Sequence, residues 1–155
     1  MASVFAWLEG TRVAITVRDS LMLTGALSSV HLIGFTLTTG GALIANLNLL
    51  GVLLRDRAPI VVSRPATRGI LAGLTISLLT GALLFAPRAT TASANGIFQA
   101  KMALLVAAAA FHLAVHQRVV RRDGTGVALR RVTAAIGLLL WAGLALAGCA
   151  FILLE

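Results

Sequence analysis

Four side chains in this sequence combine reactive chemistry with apolar surroundings: His31, Lys101, His112 and His116. A neutral imidazole ligates haem iron and other transition metals, and it carries protons near neutral pH. Three of the four belong to one run, from Gly96 to Arg118, whose other residues are almost all apolar. At about 100° per residue, Lys101, Leu105, Ala108, His112 and His116 fall on one face of a helix. Ionisable groups are costly inside a bilayer, and several on one face mark a functional site.

The elements that must position these residues follow from composition. The chain of 155 residues is 59% hydrophobic and 12% charged, with a mean hydropathy of +0.97, outside the range of an ordinary soluble domain. An all-α integral membrane four-helix bundle is expected, because roughly 20 residues per crossing leave room for four spans and little else. The boundaries read as a short interfacial helix at about 3–18 and spans at about 21–54, 69–86, 97–117 and 132–154, in one transmembrane domain. Residues 1–20 alternate apolar groups with Glu9, Arg12, Arg18 and Asp19, which suits a helix lying in the headgroup plane and not a cleavable signal peptide. The net charge of +8 comes from 13 Lys and Arg that lie mainly between the apolar runs. They read as topology signals and not as a nucleic-acid surface.

The first span has Thr24, Leu27, Ser28, Gly34 and Thr38 on the face around His31, small enough for a second helix or a planar cofactor to approach the backbone. A basic connector from Arg55 to Arg68 follows, with Pro59 and Pro65 expected to prevent a continuous helix. The second span carries Gly73, Ser77, Thr80 and Gly81 and reads as a packing helix. A loop with Arg88 as its only charge precedes the third span; a second connector holds Arg118, Arg121, Arg122, Asp123, Arg130 and Arg131. The fourth span, with Trp141 and the single Cys149, closes the bundle. The positive-inside rule places both connectors in the cytoplasm and both termini outside, in the cytoplasmic membrane of a bacterium.

Counting about 1.5 Å per residue from the expected helix starts puts His31 roughly 15 Å deep and His112 roughly 22 Å. Within the uncertainty of those starts they face each other. Two such imidazoles suit a porphyrin between helices, with His31 and His112 axial to iron and His116 the other candidate. Without a Cys-x-x-Cys-His sequence the haem is b-type. Lys101 and Arg88 are candidates for the propionates, and snorkelling to water is the alternative for the lysine. Hydrogen bonding to a neighbouring helix accounts for a histidine without any cofactor, and an i, i+4 proton relay through His112 and His116 is geometrically open. Metal transport lacks acidic residues in the spans, and nucleophilic catalysis has no matching residue set.

Several short motifs carry a resemblance. His31-Leu-Ile-Gly34, Gly41, Asn46-Leu-Asn-Leu-Leu-Gly51, Thr80-Gly81-Ala-Leu-Leu-Phe85 and Phe98-Gln-Ala-Lys101 resemble a family of small bacterial four-helix membrane proteins of unknown function, over roughly residues 22–118. That family carries Asp-Leu-Arg-Leu-Leu-Gly where this chain has Asn46 and Asn48. The order of a first-span histidine, a Thr-Gly second span and a third-span lysine before an aromatic-histidine pair is also similar to HemJ-type protoporphyrinogen oxidases and CopD-like membrane domains. The matching positions are His31, Lys101 and His112, and the HemJ-like Pro-Arg element is missing. The expected function is that of a cytochrome-like electron-transfer subunit containing haem b, working with a quinone or redox protein or inside a larger membrane complex. A HemJ-like oxidase and a haem-free structural subunit are the alternatives.

Overall fold

The computed structural model describes residues 2–122 and 124–153, and no strand occurs among them. Asp123 and the expected end of the fourth span at Leu154 lie outside the described residues. The chain is an all-α membrane protein, with four helices long and apolar enough to cross a bilayer.

The amino-terminal segment is two short helices, α1 (Ala2–Glu9) and α2 (Arg12–Asp19), not the single interfacial helix expected. The break falls at Gly10-Thr11, where the Thr11 hydroxyl caps α2 by accepting from Ala14 N at 3.3 Å. Ser20 caps α3 (Leu21–Leu50) in the same way through Leu23 N. α3 stops four residues before the expected boundary because Gly51 enters the left-handed region at φ 82°. Its N–H and that of Val52 then satisfy the last carbonyls of the helix, as glycine C-caps do.

The second long helix, α4 (Pro59–Phe85), corrects the reading of the first connector. Pro59 occupies the first turn, where no N–H is needed, so it starts the helix and does not block it. Pro65 lies inside α4, and the helix continues through it. A short 3₁₀ turn, Ala86–Arg88, and α5 (Ala89–Ala94) lead into α6 (Gly96–Phe111). α6 continues through a π-helical turn at His112–His116 into α7 (Gln117–Arg121), and α8 (Val127–Leu153) completes the bundle.

α3 packs along α4, and α8 packs against both α3 and α6. Lipid tails remove the hydrophobic drive between helices, so close approach of small residues must hold them. A Cβ built on Gly73 would lie 2.5 Å from Thr38 Oγ1, and one on Gly34 would lie 2.7 Å from Ser77 Oγ. The α3 and α4 backbones therefore touch. α3 meets α8 as closely, since a Cβ on Gly137 would collide with the Asn46 amide. Ala42, Ile70, Ala108, Trp141 and Leu144 form the central apolar layer, with Leu74, Leu104 and Leu105 against it.

The end of the bundle where α3 begins is termed the entry side, and the end with the arginine-rich segments the connector side. On the entry side Phe85 stacks on Phe98 at 5.2 Å, Phe98 meets Phe151 at 5.7 Å, and Phe5 stands edge-on to Phe85. This row joins α1, α4, α6 and α8. Glu9 adds a tie by accepting from Thr90 N at 2.7 Å.

Candidate functional site: two histidine stations

His31 is half-buried on α3 and turns toward α4, where Gly81 leaves room for its ring. Its Nδ1 lies 3.0 Å from Thr80 Oγ1. The Thr80 hydroxyl also lies 2.7 Å from Ile76 O; in the order in which its proton is directed there, the histidine nitrogen is the donor, and turning the hydroxyl reverses the two roles. In the first order the proton resides on Nδ1, and Nε2 carries the lone pair. A metal-ligating histidine is usually held this way, with one N–H fixed by a neighbour and the other nitrogen presented. Lys101 is close enough for its charge to act on His31, and its ammonium lies 5.8 Å from the centre of the Phe151 ring.

The second station is deeper and closed. His112 and His116 are 1% and 0% exposed. Their rings stack at 4.6 Å with planes 22° apart, and Trp141 stands edge-on to His112 at 6.5 Å. The pair sits on the π-helical turn, in which Gln117 N–H reaches back to His112 O. Single π turns within α-helices are frequent at functional sites. His112 Nε2 is 3.0 Å from Thr67 Oγ1. Gln117 Nε2 donates to Thr67 Oγ1 at 2.7 Å and to Ser63 Oγ at 3.0 Å. In this order the Thr67 proton points at His112 Nε2; turning the Gln117 amide over reverses the chain and leaves the lone pair on Nδ1.

Both ring nitrogens of His116, Nδ1 of His112, Nε1 of Trp141 and Oδ1 of Asn46 are buried without a hydrogen-bond partner. One His116 nitrogen lies beside the Ala45 carbonyl, outside bonding geometry. Each unsatisfied buried polar group costs about 1–3 kcal/mol. Buried polar atoms are nearly always paired, so these atoms make the surroundings of His116 the least satisfied part of the interior among the described residues.

The structure brings His112 and His116 together and does not bring His31 to them. The Thr80 and Thr67 partners stand thirteen residues apart on one helix, about 20 Å along its axis. Ala45, beside His116, is likewise fourteen residues beyond His31 on α3. The expectation that His31 and His112 face each other at one level is therefore corrected. Its source was the assumption that the first and third spans start at one depth. A single porphyrin with both residues axial does not fit, although each station separately offers an imidazole nitrogen suited to a metal.

Sequence reasoning passed over the residues that orient the histidines. Ser63 and Thr67 lay in the supposed connector, Thr80 in a helix read as packing only, and Gln117 at the expected end of a span. Their signal was a row of hydroxyls at 63, 67, 77 and 80, all within one half of the α4 surface by helical spacing.

Comparison with known proteins places the chain in a family. The family model described as a family of unknown function, DUF6644, matches residues 5–153. The chain belongs to that family. No curated protein and no solved structure matches it. The matched segment contains both stations, so they belong to the family domain itself and not to an appended segment.

Proposed function

We propose that this protein is a cytochrome-like electron-transfer subunit of a bacterial cytoplasmic membrane, with its redox centre held at imidazoles and not at thiolates or carboxylates. The observation that carries the reading is the 3.0 Å contact of His31 Nδ1 with Thr80 Oγ1: when Thr80 donates to Ile76 O it holds Nδ1–H and leaves Nε2 as a ligand atom. Haem b is the cofactor whose chemistry matches that donor, and when bound it supplies a one-electron couple. His31 is the ligand on the entry side, with Lys101 positioned for an acidic substituent. His112 and His116 form the second candidate ligand set, on the connector side. The arginines of both connectors orient that side toward the cytoplasm, leaving the termini and the His31 station outside. Quinone or a redox protein is the exchange partner in this reading.

The test is a reduced-minus-oxidised visible spectrum of protein purified after haem-replete expression. A Soret band that is lost or shifted in His31→Ala, and separately altered in His116→Ala, supports two stations. Loss only in His116→Ala moves the ligand to the inner pair. A wild-type protein without a Soret band ends the cytochrome reading and leaves the haem-free structural subunit, for which the close α3–α4 and α3–α8 contacts suffice.

A further inference from the structure

Away from the histidines, a groove of about 650 Å³ runs down the outer surface between α3 and α4 on the connector side. Gly40, Gly41, Ala66 and Gly69 form its floor, and Leu54 and Arg57 from the α3–α4 loop stand over its mouth. Both helices are membrane spans, so the groove opens to lipid. Among the described residues, Arg57 is the one charged residue that lines it.

The mouth is built at a cost. Leu54 has φ 49°, a left-handed conformation that costs a bulky L-residue about 1–2 kcal/mol. Buried Asn48 holds it there by donating to Leu53 O at 3.1 Å and Leu54 O at 2.9 Å. Strain of this kind persists where surrounding structure imposes it, and it gathers at ligand clamps. Asn48 thus folds the loop back over the groove, which brings Leu54 and Arg57 to one opening.

We propose that the groove binds one acyl chain of an anionic phospholipid, with the lipid phosphate on Arg57. The apolar walls exclude a polar occupant, and Arg57, the cation that lines the groove, selects the charge. Among the described residues, the acidic group at the Arg57 side chain is Asp56, at 3.7 Å between two exposed side chains. Such a pair is weak in water, and a phosphate that accepts two guanidinium hydrogen bonds displaces it. This site is independent of the histidines and of any haem.

The experiment uses the full chain, equilibrated in nanodiscs of mixed phosphatidylcholine and phosphatidylglycerol, then released into detergent for native mass spectrometry. The wild type is expected to retain one phosphatidylglycerol. Arg57→Gln should cut the preference for phosphatidylglycerol over phosphatidylcholine about fivefold, the scale of one cation at a membrane surface. Arg55→Gln, whose side chain does not line the groove, should leave it unchanged. Gly40→Leu fills the groove from a position whose Cβ meets nothing within 4 Å, so it should fold normally and lose both lipids. Equal retention of the two lipids by the wild type, equal effects of Arg55→Gln and Arg57→Gln, or undiminished retention in Gly40→Leu would each overturn the proposal. So would a dimer mass that Gly40→Leu abolishes, because the occupant would then be a second copy.

Discussion

If Thr80 sets the tautomer of His31, then Thr80→Val removes the acceptor of Nδ1–H while nearly preserving the shape of the side chain. The Ile76 carbonyl that Thr80 now caps retains its place in the helix ladder, so the main loss is the 3.0 Å contact to His31. An imidazole N–H left without an acceptor in a half-buried site costs about 1–3 kcal/mol. In the ligating orientation that penalty falls on the bound state, because the free ring can turn away to find another partner. At 1.4 kcal/mol per decade the expected loss in haem affinity is about 10–100-fold, the range seen when a partner of a metal-binding histidine is removed. The assay is a haem titration of solubilised apoprotein followed at the Soret band, with Thr75→Val as control. Thr75 has the same kind of back-bond, to Leu71 O at 2.9 Å, on an exposed face. Wild-type affinity in Thr80→Val, or an equal loss in Thr75→Val, refutes the tautomer argument.

The other expectations use different handles. Gly73→Ala should destabilise the protein by about 1–3 kcal/mol through overpacking against Thr38, measured by detergent-titration unfolding; Gly25→Ala, where a Cβ meets nothing within 4 Å, should not destabilise it. In a Cys149→Ala background, Ser93→Cys should react with an impermeant maleimide in intact cells and Thr125→Cys should not; the opposite pattern inverts the topology. Lys101→Ala should keep haem bound and lower its midpoint potential, because removing a nearby cation favours the oxidised form. Rescue of a porphyrinogen-oxidase-deficient strain by the wild type, lost in Lys101→Ala, would instead select the HemJ-like alternative.

How much of this was legible in the sequence depends on what each residue needed to be read. Four apolar runs are sufficient to give four spans, because backbone satisfaction in a bilayer leaves few other solutions. The buried faces of His112 and His116 were also visible from spacing. Depth was not: it depends on where each helix starts, and the short helices before α3 and α6 shift those starts separately. Pro65 was misread because proline is a strong breaker by propensity; inside α4 it removes one ladder bond, to the Val61 carbonyl, and the helix continues through it. The π-helical turn has no local signature in His-Leu-Ala-Val-His. It coincides with the tertiary contacts of Gln117 to Ser63 and Thr67, which local sequence does not display. Asn48 shows the same limit, since it reads as a polar residue in a span until the loop it holds is seen.

The separation of the stations also distinguishes what can pass between them. Thr80 and Thr67 bracket Ile70 and Leu74 on α4, and the layer at that level is Ala42, Ile70, Ala108, Trp141 and Leu144, with Leu104 and Leu105 packed against it. A proton needs a chain of donors and acceptors; Trp141 Nε1 in that layer has no partner, and the buried Thr38 hydroxyl beside Gly73 donates to Gly34 O of its own helix. An electron needs no such chain. We expect no proton relay from His112 and His116 to His31 through this packing, despite their i, i+4 spacing and the hydroxyls that reach His112 from α4. Liposomes containing the protein should hold a pH gradient, reported by an entrapped dye, as long as protein-free liposomes do. Faster collapse that His112→Ala abolishes would show that water or side-chain motion bridges the layer, and the proton relay would then displace electron transfer as the function of the two stations.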